Sequence, residues 1–280
     1  MSDAFLPDRS LIRIQGTNAQ SFLQALITTD LACLPENEAW PGALLTPQGK
    51  ILFDFVIWRD GADLLLETDV SQRDGLIRRL TMYKLRAPIE ISAEPDSGVS
   101  VFWRTDQIVD GILDDRFARA GVTLVRQPGR HSDGDAGAYQ ALRIANGIAV
   151  AGEDYPLQDA FPHDVLMDFN GGLSFRKGCY VGQEVVSRMQ HRGTARRRLA
   201  TVHADGALPP AGTELTAGGK PLGTLGSVHG QQALAIVRID RAGDAMATGT
   251  AILAGDVPVT LVLPAWSGLD FPLVVEEPQA

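Results

Sequence analysis

Beyond Arg198 the chain settles into one rhythm: short strand-like runs, each closed by a glycine- or proline-bearing turn. The runs fall at 199–203, 213–215, 221–229, 233–239, 251–253 and 257–263. Short segments at this spacing cannot each bury a face alone and must close on one another, so they predict a small β-barrel or sandwich. The rest of the chain is mixed. Residues 10–14, 43–45, 51–58, 63–67, 89–93 and 99–103 have strand character. Thr46-Pro-Gln-Gly-Lys50 has the chemistry of a hairpin loop. Helices are predicted over 19–27, where Phe22, Leu23, Leu26 and Ile27 share a face, and over 71–84, where Leu76, Ile77, Leu80 and Tyr83 do. Residues 127–138 read as an exposed loop, 139–146 as a short ordered segment and 154–161 as irregular; 179–190 can be helical. The expected division is a domain over 1–198 and a barrel with a surface tail over 199–280, the tail starting at Trp266.

Charge narrows the function classes. The 280 residues carry a formal net charge of −9, which argues against general affinity for nucleic acid. A local patch stays open, made of Arg188, Arg192, Arg196, Arg197 and Arg198. No apolar run reaches the length of a membrane helix, and the first residues have no apolar leader core, so the expected compartment is the cytoplasm.

The common catalytic and metal motifs are missing. There is no phosphate-binding or dinucleotide glycine loop, and the five histidines have no zinc-like spacing. Two cysteines, Cys33 and Cys179, cannot supply the four thiolates of a conventional cluster. Cys33, beside Leu34 and Pro35, reads as structural, and Trp40, Trp58 and Trp103 read as core. The remaining feature is Lys177-Gly-Cys-Tyr-Val-Gly-Gln-Glu184. A thiol becomes reactive where cations or a helix N-terminus favour its thiolate. Arg176 and Lys177 precede Cys179 and a predicted helix follows it. From these residues alone, the favoured reading of Cys179 is a small buried hydrophobe.

This octapeptide resembles the signature of the YgfZ-type folate-binding, iron–sulfur-maintenance family, itself similar to the glycine-cleavage T-protein, an aminomethyltransferase that uses tetrahydrofolate. Other segments resemble the same family: residues 16–31, Leu45-Thr-Pro-Gln-Gly-Lys-Ile-Leu-Phe-Asp54, Tyr83-Lys-Leu-Arg86, Leu142-Arg-Ile-Ala-Asn-Gly147, and 222–228 with 233–239. The resemblance implies an α+β fold: a three-part, T-protein-like folate-binding domain around a central cavity, followed by a small C-terminal β-barrel. It implies tetrahydrofolate or a derivative as ligand, Cys179 near the cavity as the working residue, and a role in assembling or repairing [4Fe–4S] proteins, including radical enzymes that modify tRNA. Iron–sulfur client or assembly proteins would be partners, tRNA at most a weak one, a membrane none. A metal site is not expected.

Roles follow residue by residue. Lys177 would favour the thiolate or bind an anion; Gly178 and Gly182 would let backbone approach a ligand; Gln183 and Glu184 would hydrogen-bond a pterin or cap the helix; Arg188 would meet the folate tail. Asp54 would contact the ligand's reactive nitrogen and Arg86 a carboxylate. Two departures bear on chemistry. Ala145 stands where the T-protein has a pterin-gripping glutamate, and Phe53-Asp54 where it pairs two acids. Both count against the alternative function, folate-dependent aminomethyl transfer.

Overall fold

The computed structural model describes residues 2–95, 98–104, 110–193 and 195–272; the end of the tail, 273–280, lies outside the described residues. The first part contains β1 (Ser2–Leu6), β2 (Arg9–Gln15), α1 (Ala19–Gln24), β3 (Glu38–Leu45), β4 (Ile51–Asp60), β5 (Asp63–Asp69), α2 (Val70–Lys84), β6 (Glu90–Ala93) and β7 (Val99–Trp103). Then come β8 (Ile112–Asp114), α3 (Asp115–Arg119), β9 (Leu124–Pro128), α4 (Ala136–Ala145) and α5 (Gln183–Arg192). The last part holds β10 (Arg197–His203), β11 (Glu214–Ala217), β12 (Lys220–His229), β13 (Gln232–Arg238), α6 (Ile239–Ala247), β14 (Ile252–Ala254) and β15 (Val257–Val262).

The first nine strands form one sheet in the order β1-β7-β9-β8-β3-β4-β5-β2-β6, joined by a parallel pairing of β3 with β8. The other six close a barrel in the order β10-β13-β12-β11-β14-β15. The barrel therefore opens at Arg197. Its closure explains the rhythm of the sequence: Ala200, Val202, Leu215, Ala235 and Val237 point inward and are buried. Three stretches break the expected pattern. Residues 2–6 are a strand, 112–128 add two strands and a helix, and 239–247 are helical where barrel sequence reads as turn.

Strand β4 decides where the site can lie, because it is buried on both faces. Phe55 and Ile57 pack into one cluster, with Leu44, Leu66 and Leu76; Val56 and Trp58 pack into another, with Val101 and Phe117. Side chains alternate across a strand, so Phe53 and Asp54 leave on opposite sides. Phe53 meets Gly75 of α2, and Asp54 faces the interior between the layers. Helix α2 is held by Leu76 and Leu80, both fully buried, and capped by Asp69, whose carboxylate accepts from the Ser71 N–H at 2.8 Å.

A buried ion network ties the layers together. Arg126, 1 % exposed, donates Nη1 to Glu67 at 2.6 Å, Nε to Asp114 at 2.7 Å and Nη2 to Tyr139 at 2.8 Å. Arg9 joins Glu67 at 2.8 Å and Arg116 joins Asp114 at 2.7 Å. Burial opposes the charge on both acids, yet the guanidiniums outweigh it and hold both carboxyls below the usual carboxylate range.

A second junction joins the barrel to the larger part. Asp154 accepts the N–H of Ser227 (2.9 Å), the N–H of Val150 (2.8 Å) and Arg143 Nη1 (2.6 Å). Arg143 also donates to the Ser227 hydroxyl and to Glu153. Gly226 makes this approach possible: a Cβ there would stand 2.8 Å from the Cα of Asp154. The chain's final described turn is anchored by Trp266, whose Nε1–H reaches the carbonyl of Asn146 at 2.9 Å.

Candidate functional site

The predicted site residues fall in two places. The first is the loop that carries Cys179. Lys177 is buried, and its ammonium donates to the carbonyls of Ile27 and Thr29 at 2.7 Å each. Burial pulls its pKa down to about 8, opposed by Asp30. Lys177 is thus a strut between the loop and the segment after α1, not a free cation beside the thiol. The Ser174 N–H adds a bond to the carbonyl of Thr28 at 3.0 Å. Tyr180 and Val186 are buried on the inner side of the same loop and helix.

Gly182 seats the other end. It takes φ +80° as the N-cap of α5, and a Cβ would lie 2.5 Å from the carbonyl oxygen of Thr46 and 3.0 Å from Leu45 Cβ. The loop therefore rests on the tip of the β3–β4 hairpin. Gly178 differs: it has no positive φ and open space around it. Between the strut and the seat, Gly178 and Cys179 are exposed. Helix α5 begins at Gln183, four residues past Cys179 rather than beside it. Glu184 and Arg188 pair with each other on the surface at 2.6 Å, a contact of about 0.3–0.5 kcal/mol for an exposed i,i+4 pair.

A contrast between the two glycines follows. Gly182→Ala should destabilise by at least about 1–2 kcal/mol, the cost of left-handed backbone for an L-residue, with the Thr46 clash added. Gly178→Ala should stay within about 0.5 kcal/mol of wild type. Urea midpoints at unchanged slope check both.

The second place is the void lined by Asp54. Its carboxylate accepts the Ala151 N–H and the Tyr155 hydroxyl, each at 3.0 Å. Burial raises the carboxyl above the usual range, against the pull of the Ala151 N–H and of Arg9. The raised pKa fixes the sign of a test. The ionised form is penalised in the folded chain at pH 7, whereas both states are protonated in strong acid. Asp54→Asn, which keeps an acceptor for both donors, should raise Tm at pH 7. That gain should fade as pH falls through the raised pKa towards the ordinary value near 4.

The void measures about 40 Å³ and is lined by Asp54, Tyr155, Arg9, Arg116, Ile148 and Asn170, among others. No residue of 174–184 lines it, so Cys179 does not sit at the Asp54 cavity as expected. Ala145 is exposed at the end of α4 and borders a separate groove with Trp103 and Gly121. Arg86 is exposed just past α2. The positions expected to surround one pterin are therefore dispersed. Sites for drug-sized ligands run to about 300–1,000 Å³, and about 30 Å³ is one water's share of liquid volume. Arranged this way, the Asp54 void does not fit a pterin.

Other expectations change as well. Cys33 is exposed, not structural: Leu31 and Leu34 turn inward and leave Ala32 and Cys33 outside. The arginine run is not a free patch. Arg198 is buried on Asp168 at 2.8 Å, Arg197 meets Asp159 at 3.0 Å, and Arg188 is paired as above. Tyr155, Arg9 and Arg116 carry no mark in the sequence. Tyr155 sits in a segment with no periodicity, and nothing local marks the arginines.

The model of the CAF17 C-terminal beta-barrel domain matches residues 196–269. The mouse mitochondrial iron-sulfur cluster assembly factor IBA57 is 31 % identical over 301 aligned positions, covering 93 % of this chain and 84 % of its own. The chain belongs to the IBA57/CAF17 family. The human IBA57 is 30 % identical, with 83 % and 76 % covered. The YgfZ-type group that the octapeptide resembles is a related member of the same group. By fold, the crystal structure of the glycine cleavage system aminomethyltransferase T from Bartonella henselae is similar at a TM-score of 0.65, with 15 % identity and 93 % and 84 % covered. The IBA57/CAF17 chain thus has a T-protein-like fold followed by a closed six-stranded barrel.

Proposed function

We propose that this chain is an accessory factor in the assembly or repair of [4Fe–4S] proteins, with Cys179 as its working thiol. The observation that carries the reading is an exposed cysteine on a loop fixed at both ends, by Lys177 and by Gly182, in a chain related over nearly its whole length to IBA57. A fixed, accessible thiol can transfer or briefly hold sulfur or iron for a partner. The partners proposed are iron–sulfur client or assembly proteins, among them radical enzymes that modify tRNA. Contact with tRNA itself has little support, since most of the arginines proposed for it are paired with acids. No helix among the described residues is long and apolar enough to cross a membrane. The relatives named above are mitochondrial; the cytoplasm is our proposal for this chain.

The test is complementation. Cells lacking the chain should lose activity of [4Fe–4S] enzymes under oxidative stress and recover it when the chain is restored. Full activity without it would overturn the reading.

Folate is the weaker part. Its support is the fold and the resemblance, and the 40 Å³ void speaks against it. Tetrahydrofolate titrated into the purified chain, followed by tryptophan fluorescence, should give no saturable binding near about 10 µM. Tight binding would mean that Tyr155 and its segment move aside. Aminomethyl transfer is the alternative, and the dispersal of Asp54 and Ala145 disfavours it.

A further inference from the structure

A second cavity adjoins the ion network and plays no part in the thiol site. It holds about 120 Å³ and shares Arg9, Arg116 and Val150 with the Asp54 void. At about 30 Å³ per water that is room for roughly four waters, or a ligand of about six heavy atoms.

Two guanidiniums line it with donors to spare. Arg9 uses Nε and Nη2 on Glu67, and Arg116 uses Nε and Nη2 on Asp114. Nη1 of each makes no hydrogen bond to a described residue. Arg116 is 9 % exposed and lines the cavity. Within the network, three cations, Arg9, Arg116 and Arg126, share two carboxylates, Glu67 and Asp114.

The same cavity carries acids. Asp8, Asp69 and Glu153 line it. Asp69 uses one oxygen to cap α2 and Glu153 one to hold Arg143 and Gln140, leaving the second oxygen of each. Asp69 is the cross-strand partner of Arg9, yet the two form no ion pair among the described residues. Arg9 and Asp69 therefore occupy neighbouring positions on paired strands, so the cavity wall offers a cation and an acid side by side. Leu6, Ala136 and Val150 supply apolar wall.

We propose that this cavity binds a small α-amino acid as its zwitterion, the carboxylate on Arg9 and Arg116 and the ammonium on the rim of Asp8, Asp69 and Glu153. The test uses calorimetry on the full chain at pH 7 and low salt, with L-alanine and its two halves, propionate and ethylamine, as probes. L-Alanine should bind saturably in the millimolar range and each half at least tenfold more weakly. Asp69→Asn keeps the helix cap, because Asn caps as well as Asp. It should weaken L-alanine about tenfold and leave propionate unchanged, whereas Arg9→Gln should weaken both. Absence of saturable L-alanine binding up to about 50 mM would overturn the proposal. So would propionate binding as tightly as L-alanine, or L-alanine binding unaltered in both variants.

Discussion

Arg126→Met should cost about 3–5 kcal/mol of folding stability, the range for removing one partner from a buried ion pair. The side chain is 1 % exposed and every donor group of its guanidinium is engaged. Met fills much of the volume, so the loss is electrostatic rather than a cavity. Glu67 and Asp114 are both 0 % exposed. Without Arg126 each keeps one partner, Arg9 or Arg116, and one carboxylate face with no counter-charge. A domain is stable by about 5–15 kcal/mol, so this single change takes a large share. Urea unfolding measures it. The acid side gives a further signature. Both carboxyls are held below the usual range, so they stabilise the fold above the unfolded pKa and lose that contribution as pH falls through the folded one. The gap between variant and wild type should therefore narrow in strong acid. A loss under about 1 kcal/mol at pH 7 would mean that the network contributes no more than exposed pairs do.

Cys179→Ser should abolish most of the chain's support for [4Fe–4S] enzymes, by at least about tenfold, and leave the urea midpoint unmoved. The thiol is exposed and the loop's anchors are Lys177 and Gly182, neither touched by the change. Surface substitutions of this kind stay within about 0.5 kcal/mol. Serine keeps the size and loses the soft sulfur ligand and nucleophile. Cys33→Ser is the control: also exposed, but outside the fixed loop, it should change neither measurement. Wild-type support from Cys179→Ser, in cells whose iron–sulfur enzymes depend on the chain, would remove the thiol from the function.

Much of this was legible in the residues. The barrel could be read because each strand carries its own turn, and the β3–β4 hairpin because Thr46-Pro-Gln-Gly-Lys50 is a local signal. Gly182 could be picked out as special, but not its reason, since Thr46 is 136 positions away by subtraction of residue numbers. Lys177 misled for the same cause: its partners, Ile27 and Thr29, are 150 and 148 residues distant, and a lysine beside a cysteine looks local. Arg126 lies in a short strand with acids at separations of 12 and 59. No pattern of neighbours announces a buried guanidinium. Residues 112–128 carry no readable pattern because their strands are short and the parallel pairing of β3 with β8 has no local signature.

The junction at Asp154 has a bearing on how the molecule comes apart. One carboxylate satisfies a backbone donor in the barrel, another in the larger part, and an arginine that itself grips both. Opening the gap between the two regions would strand the N–H and hydroxyl of Ser227, while the Arg143–Asp154–Val150 cluster, held within the larger part, would lose its barrel partner. The barrel and the larger part should therefore melt in one calorimetric transition, and a cut near residue 196 should leave two fragments that each lack a partner for their polar face.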